Sequence, residues 1–261
     1  MSPSTTTPAK SRTLSSITAV LPAFNEAANI KATLDKVRAF LPTVSEDWEI
    51  IVVNDGSQDN TEWIVKGEAK LEPRIKCYNH AMNRGYGAAL QTGIFEAHKE
   101  YVFFMDSDGQ FNVEELPLLV EHIGNNDIVA GYRHDRQDPW NRRLNAWAWN
   151  RLVLLVLGVR VIDIDCAFKL FRRSVFDKVL IRSLGAMVNT EIFAQVQRFE
   201  LRLKEVPVSH FARVHGSPTG ANLRVVIKAF RELSKLWWKL RAVRKHQKGL
   251  LHGRPVVITS S

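Results

Sequence analysis

Residues Tyr101–Gln110 read YVFFMDSDGQ. Five consecutive apolar residues run directly into an acidic turn. An uninterrupted apolar run, as opposed to an alternating one, marks a strand covered on both faces, as in parallel sheets. The chain on either side supports that reading. Upstream, ITAVLPA (Ile17–Ala23), WEIIVVND (Trp48–Asp55) and RIKCYNH (Arg74–His80) read as strands. They alternate with helical stretches at Asn25–Leu41, Thr61–Leu71 and Gly87–Lys99. In the first of these helices Ile30, Leu34, Val37 and Leu41 fall three or four apart, on one face. Downstream, a helix over Val113–Ile123 and a strand over Asp127–Ala130 continue the alternation. The order predicts a doubly wound, mostly parallel α/β sheet.

From Arg142 the pattern changes. A helix rich in Trp and Leu, with Trp147 and Trp149, runs to Val159. A short strand (Phe168–Arg172), two helical stretches and the strand LKEVPV (Leu203–Val208) follow. These elements are expected to complete one domain over residues 17–221. A polar tail (1–16) precedes it; a basic amphipathic helix (222–248) and a second tail (249–261) follow.

Composition narrows the function classes. The 261 residues carry 36 Lys plus Arg against 27 Asp plus Glu, a formal charge of +9, which favours an anionic partner. Two cysteines, Cys77 and Cys166, exclude a disulfide framework and fit a reducing compartment. No Cys/His cluster has zinc spacing. The N-terminus lacks the apolar core of a secretory signal. The longest apolar run, Leu152–Val159, falls far short of the roughly 20 residues a spanning helix needs. The expectation is a cytoplasmic protein, peripheral on the inner face of the membrane.

In open α/β sheets, ligands bind beyond the carboxyl ends of the strands. Three polar clusters fall there: Pro22–Glu26, Asn54–Ser57 and Asp106–Gln110. In the last, Asp106, Asp108 and the Gln110 amide can face one hard cation, Mg²⁺ or Mn²⁺, leaving sites for phosphate oxygens. A calcium EF-hand is excluded, because Phe111 and Pro117 stand where its Gly and Glu belong, and a strand precedes the motif. In Asn83–Leu90, Gly85-Tyr86-Gly87 enters a helix and permits close backbone approach to a ligand. The dinucleotide fingerprint fails because Leu90 stands at its third glycine, and no P-loop G-K-S/T occurs.

Together VLPAFNEAANI, IIVVNDGSQDNT, NRGYGAAL and YVFFMDSDGQF resemble family 2 glycosyltransferases of the GT-A fold. The likeness is greatest to the dolichyl- or polyprenyl-phosphate hexosyltransferase branch, and it covers Ile17–Gly216. GYR (Gly131–Arg133), DIDCAFKLFRR (Asp163–Arg173) and EVPVSHFARVHGSPTG (Glu205–Gly220) extend it. The resemblance implies an inverting, metal-dependent hexosyltransferase whose donor is a GDP- or UDP-linked sugar and whose acceptor is a lipid phosphate. It implies that Pro22, Phe24, Glu26, Val53, Asp55, Arg84, Gly87 and Ser107 line the nucleotide-sugar site. Asp106, Asp108 and Gln110 would hold the metal, and Arg133 and Arg213 would bind phosphates. The branch often has Lys where this chain has Thr219, so the acceptor-phosphate contact differs here.

Asp163 and Asp165 are the candidate catalytic pair, as base or acceptor positioners; the alternative is a carboxylate paired with Lys169 or Arg172. Glu191 either orients a loop, contacts the acceptor or is a plain helix N-terminal charge. His210 and His215 read as structural or phosphate-adjacent. The basic helix, with Trp237 and Trp238, either lies in an anionic membrane surface or packs on the domain. Three other readings compete: a glycan, glycolipid or other hydroxyl acceptor; a nucleotidyltransferase; and a non-enzymatic basic binding module. No nucleic-acid motif is present, so nucleic acid is not an expected partner.

Overall fold

The computed structural model describes residues 13–134 and 151–212. Residues 1–12 of the expected tail, Trp147, Trp149, Arg213, His215, Thr219, the expected basic helix at 222–248 and the expected tail at 249–261 lie outside them. Seven strands form one sheet: β1 (Ile17–Ala23), β2 (Trp48–Asn54), β3 (Ile75–Asn79), β4 (Tyr101–Met105), β5 (Ile128–Arg133), β6 (Phe168–Arg172) and β7 (Leu203–Val208), in the order β3-β2-β1-β4-β6-β5-β7. The helices are α1 (Ile30–Phe40), α2 (Thr61–Leu71), α3 (Tyr86–Phe95), α4 (Leu116–Ile123) and α5 (Val188–Arg198); residues 151–157 are also helical. Every residue of β1, β2 and β4 is buried, as their continuous apolar runs require. Among the described residues no helix is long and apolar enough to cross a membrane.

One strand runs against the rest. β6 pairs antiparallel with both β4 and β5, while the other pairings are parallel. Phe103 meets Phe168 edge-on at 4.9 Å, and Phe104 stacks on Phe171 at 5.6 Å, which cements the pairing. The reversal matters for function. It sets Met105, the last residue of β4, opposite Phe168, the first of β6. The loop preceding β6, with Asp163 and Asp165, therefore arrives at the same rim as the DSDGQ turn.

Several boundaries differ from the sequence reading for local reasons. α1 begins at Ile30, not Asn25, because Asn25 is left-handed (φ 56°) and bonded to the loop after β2. The helix expected from Val113 starts as a 3-10 turn, where the Asn112 side chain accepts from the Glu114 amide. β5 continues to Arg133 because β7 offers a partner up to Val208.

Candidate active site

The first rim segment, at the end of β1, is built around a proline. β1 pairs with β4 only up to Val20, so the missing N–H of Pro22 leaves no ladder bond unmade. The Ser107 hydroxyl donates to the Pro22 carbonyl at 2.7 Å instead. Phe24 stands out at 42% exposure, whereas Glu26 is buried and accepts from the Asn29 amide at 2.8 Å. The loop after β2 locks this segment: Ser57 accepts from the Asn25 amide, Thr61 from Glu26 and Asp59 from Ala27. Although burial opposes it, the bonds to Asp59 from Thr61 and Ala27 hold its carboxyl below the usual range.

Asp55 is the hub of the second segment. Its carboxylate accepts from the backbone N–H groups of Arg84 (2.9 Å) and Gly85 (2.8 Å) and meets His80 Nδ1 at 2.6 Å. His80 Nε2 in turn lies 2.9 Å from the Thr92 hydroxyl. One buried carboxylate thus fixes the loop that carries Arg84, whose side chain is exposed.

The Gly-x-Gly turn packs closely against the chain itself. A Cβ on Gly87 would lie 2.2 Å from the Ser183 carbonyl oxygen, and one on Gly85 would lie 2.4 Å from that of Leu184. The close approach these glycines allow is to the chain's own strap at residues 183–185, and Gly87 is buried beneath it. Glu191, on α5, holds the strap by accepting from the amides of Arg182 (2.9 Å) and Ser183 (2.7 Å). Of the roles open to Glu191, loop orientation is the one observed. Val53 and Ser107 present no side chain at the rim surface. Val53 is fully buried and faces Gly93 of α3. Ser107 is buried, and its carbonyl accepts from Thr33 while its hydroxyl bonds Pro22. Both shape the rim from within.

Asp106 and Asp108 flank Ser107 at the end of β4. The Tyr86 hydroxyl donates to Asp106 at 2.9 Å, and Asp108 accepts from the Gln110 backbone amide. Burial and the neighbouring Asp108 push the Asp106 carboxyl up to about 7, against the pull of Tyr86, Lys169 and Arg133. Two crowded carboxylates of this kind gain from a shared cation. Among the described residues no group of three or more His, Cys, Asp or Glu could hold a metal alone. The donor set therefore fits a divalent ion completed by ligand phosphates and water, not a closed structural site. The Gln110 side-chain amide donates to the Phe211 carbonyl at 2.9 Å, and Phe211 N–H donates to the Gln110 carbonyl. Gln110 thereby pins the segment leading to Arg213.

Arg133 and Asp163, expected in separate roles, are joined. The guanidinium donates through Nε and Nη2 to both carboxylate oxygens, at 2.6 and 2.7 Å. Burial works against the guanidinium, but Asp163 holds its pKa above the usual value. A carboxylate engaged on both oxygens is a weakened proton acceptor, which favours an anchoring role for Asp163 over that of base. The expected partners Lys169 and Arg172 are not the ones it takes in that pair. Asp165 is exposed on the same loop. Glu205, on β7, supports the loop by accepting from the Ile162 amide at 2.8 Å; burial raises its pKa. Sequence reasoning missed His80, Tyr86 and Glu205 as parts of this assembly, and it gave Lys169 only as a partner for a carboxylate.

The family model described as Glycosyl transferase family 2 matches residues 18–180. The chain belongs to glycosyl transferase family 2. Its matched span holds all three rim clusters and the Arg133–Asp163 pair. Among family relatives, it is 32% identical to the undecaprenyl-phosphate 4-deoxy-4-formamido-L-arabinose transferase of Aeromonas hydrophila, over 77% of this chain and 61% of that protein. It is 30% identical to the dolichyl-phosphate beta-glucosyltransferase of Trichomonas vaginalis, over 85% and 75%. It is 30% identical to the dodecaprenyl-phosphate galacturonate synthase of Rhizobium johnstonii, over 76% and 59%. The chain thus spans about three fifths of the first and third of these. The Mycobacterium tuberculosis glucosyl-3-phosphoglycerate synthase, solved with uridine diphosphate, superposes with a TM-score of 0.67 at 20% identity, over 85% of this chain and 80% of that one. The same enzyme has been solved with Mn²⁺, UDP and glucosyl-3-phosphoglycerate (TM-score 0.59, 20% identity, 87% and 78% covered). This likeness establishes a shared GT-A fold.

Proposed function

We propose that this family 2 chain transfers a sugar, with inversion, from a nucleoside-diphosphate donor to a polyprenyl phosphate. One observation carries the reading: the three relatives are named for different sugars and for one acceptor class, a polyprenyl or dolichyl phosphate. In this reading Phe24 and Arg84 face the nucleoside, and Asp106 and Asp108 hold a divalent cation on the donor diphosphate. When bound, that cation supplies positive charge where the leaving diphosphate gains negative charge. Arg213, two residues beyond the pinned Phe211, adds cationic stabilisation for a phosphate. UDP is the first donor base to test, given the uridine nucleotides held by the fold neighbours; Mn²⁺ is the first cation, with Mg²⁺ and GDP as comparisons.

The Arg133–Asp163 pair favours this acceptor. A hydroxyl nucleophile needs a general base, whereas a phosphate monoester, with a second pKa of about 6, is already an anion at neutral pH. With Asp163 engaged, an acceptor that needs placement more than deprotonation suits the site. A second reading, a hydroxyl acceptor, would assign the base to Asp165, the exposed acid of the loop. Incubation with radiolabelled UDP-sugars, Mn²⁺ and undecaprenyl phosphate tests the proposal. The expected product extracts into organic solvent and releases its sugar in mild acid. Label that enters only an acid-stable glycoside would move the assignment to the hydroxyl reading. A membrane role for the basic segment at 222–248 belongs to the same proposal: co-sedimentation with anionic vesicles should be lost when residues 222–261 are removed.

A further inference from the structure

β6 carries a charge where its neighbours are apolar. Lys169 is fully buried between Phe168 and Leu170, themselves fully buried. Its ammonium has three donors and meets three neutral acceptors: the carbonyls of Ile164 (3.4 Å) and Cys166, and the Asn189 side-chain oxygen (3.0 Å). The rings of Phe104 and Phe193 close the remaining sides, at 5.0 and 5.2 Å from Nζ. Burial lowers the Lys169 pKa, and the acids Asp163, Asp165 and Asp106 act against that. A buried cation held only by neutral oxygens is costly compared with an apolar side chain of the same shape. Strand packing alone gives no reason for it.

The two carbonyls give the reason. Ile164 and Cys166 are the residues on either side of Asp165, so the ammonium grips both flanks of the loop's exposed acid. Arg133 fixes Asp163, and Glu205 fixes the Ile162 amide. We propose that Lys169 is a positioning residue, which sets the backbone of the 163–166 loop and so the place of Asp165 beside the incoming acceptor. The acceptor part of this inference rests on the transfer reading above.

The test compares Lys169→Met with Asn189→Leu, which keeps the ammonium and removes one acceptor. Amide hydrogen exchange over residues 162–167 should quicken in both variants, more in Lys169→Met, while β1 and β2 keep their protection. In turnover, the acceptor KM should rise or kcat fall by about tenfold in Lys169→Met, with a smaller change in Asn189→Leu. The Kd for UDP with Mn²⁺ should stay within about threefold of wild type in Asn189→Leu, which keeps the Lys169 charge that acts on Asp106. Should Lys169→Met fail to fold, Asn189→Leu decides alone. Unchanged loop exchange in a folded variant overturns the proposal. So does a loss of nucleotide affinity in Asn189→Leu as large as its loss in acceptor kinetics, since that marks general damage. A wild-type protein that glycosylates no polyprenyl phosphate would sink the transfer reading, and the exchange experiment would still judge the role of Lys169 in holding the loop.

Discussion

Asp163→Asn separates an anchor from a base. The Arg133 and Asp163 side chains are 13% and 9% exposed, and both of their bonds are short. Replacing the carboxylate by an amide leaves a nearly buried guanidinium facing one acceptor and one donor. Breaking a buried pair from one side costs about 3–5 kcal/mol. In a domain of this size each kcal/mol lowers Tm by about 2–4 °C, so a drop of about 6–20 °C is expected. Removing both partners, as Arg133→Met with Asp163→Leu, leaves no orphan charge and should recover more than half of the loss. Thermal melts followed by circular dichroism, run on all variants, measure this. A melt within about 2 °C of wild type, with turnover reduced about 1000-fold, would refute the anchor role and restore Asp163 as the base.

Gly87→Ala forces a Cβ to within 2.2 Å of the Ser183 carbonyl and should cost about 1–3 kcal/mol in denaturant melts. Gly109→Ala meets nothing within 4 Å and pays only for its φ of +78°, about 1–2 kcal/mol, without moving the strap. In the metal-free protein, Asp106 keeps its proton up to about 7, so protons compete with the cation and Mn²⁺ affinity should rise with pH through that value. Tyr86→Phe removes a bond that favours the ionised carboxyl, so the midpoint of Mn²⁺ binding should move to higher pH. Because the folded pKa of Asp106 is raised, its contribution to stability is full below the ordinary value of 3.8 and is lost as pH rises through about 7. Asp106→Asn loses none of it, so without metal the variant should gain in Tm relative to wild type as pH rises from 4 to 8.

The sheet was legible because YVFFM and WEIIVVN have to be covered on both faces, and the helical stretches between the strands supply that cover in a parallel sheet. The direction of β6 was not. FKLFR reads as a strand whichever way it runs, and its reversal is set by pairing with β4 and β5. The same limit applies within the site. Motif order brought Pro22, Val53, Gly87 and Ser107 to the rim, but all four are buried: both faces of β1 and β2 are covered, the 183–185 strap lies over Gly87, and Ser107 turns inward to Pro22. Arg133 and Asp163 lie 30 residues apart, so nothing local announced their pairing. Lys169 offered a signal that went unused: a lysine in the middle of an apolar strand must find acceptors inside the protein.

Titration calorimetry of UDP and GDP with and without Mn²⁺, on wild type and Asp108→Ala, tests the central claim most directly. The account predicts Mn²⁺-dependent binding of one nucleotide to wild type and its loss in Asp108→Ala, with both proteins folded. Binding by neither nucleotide to folded wild type, or binding indifferent to both the cation and Asp108, would contradict it.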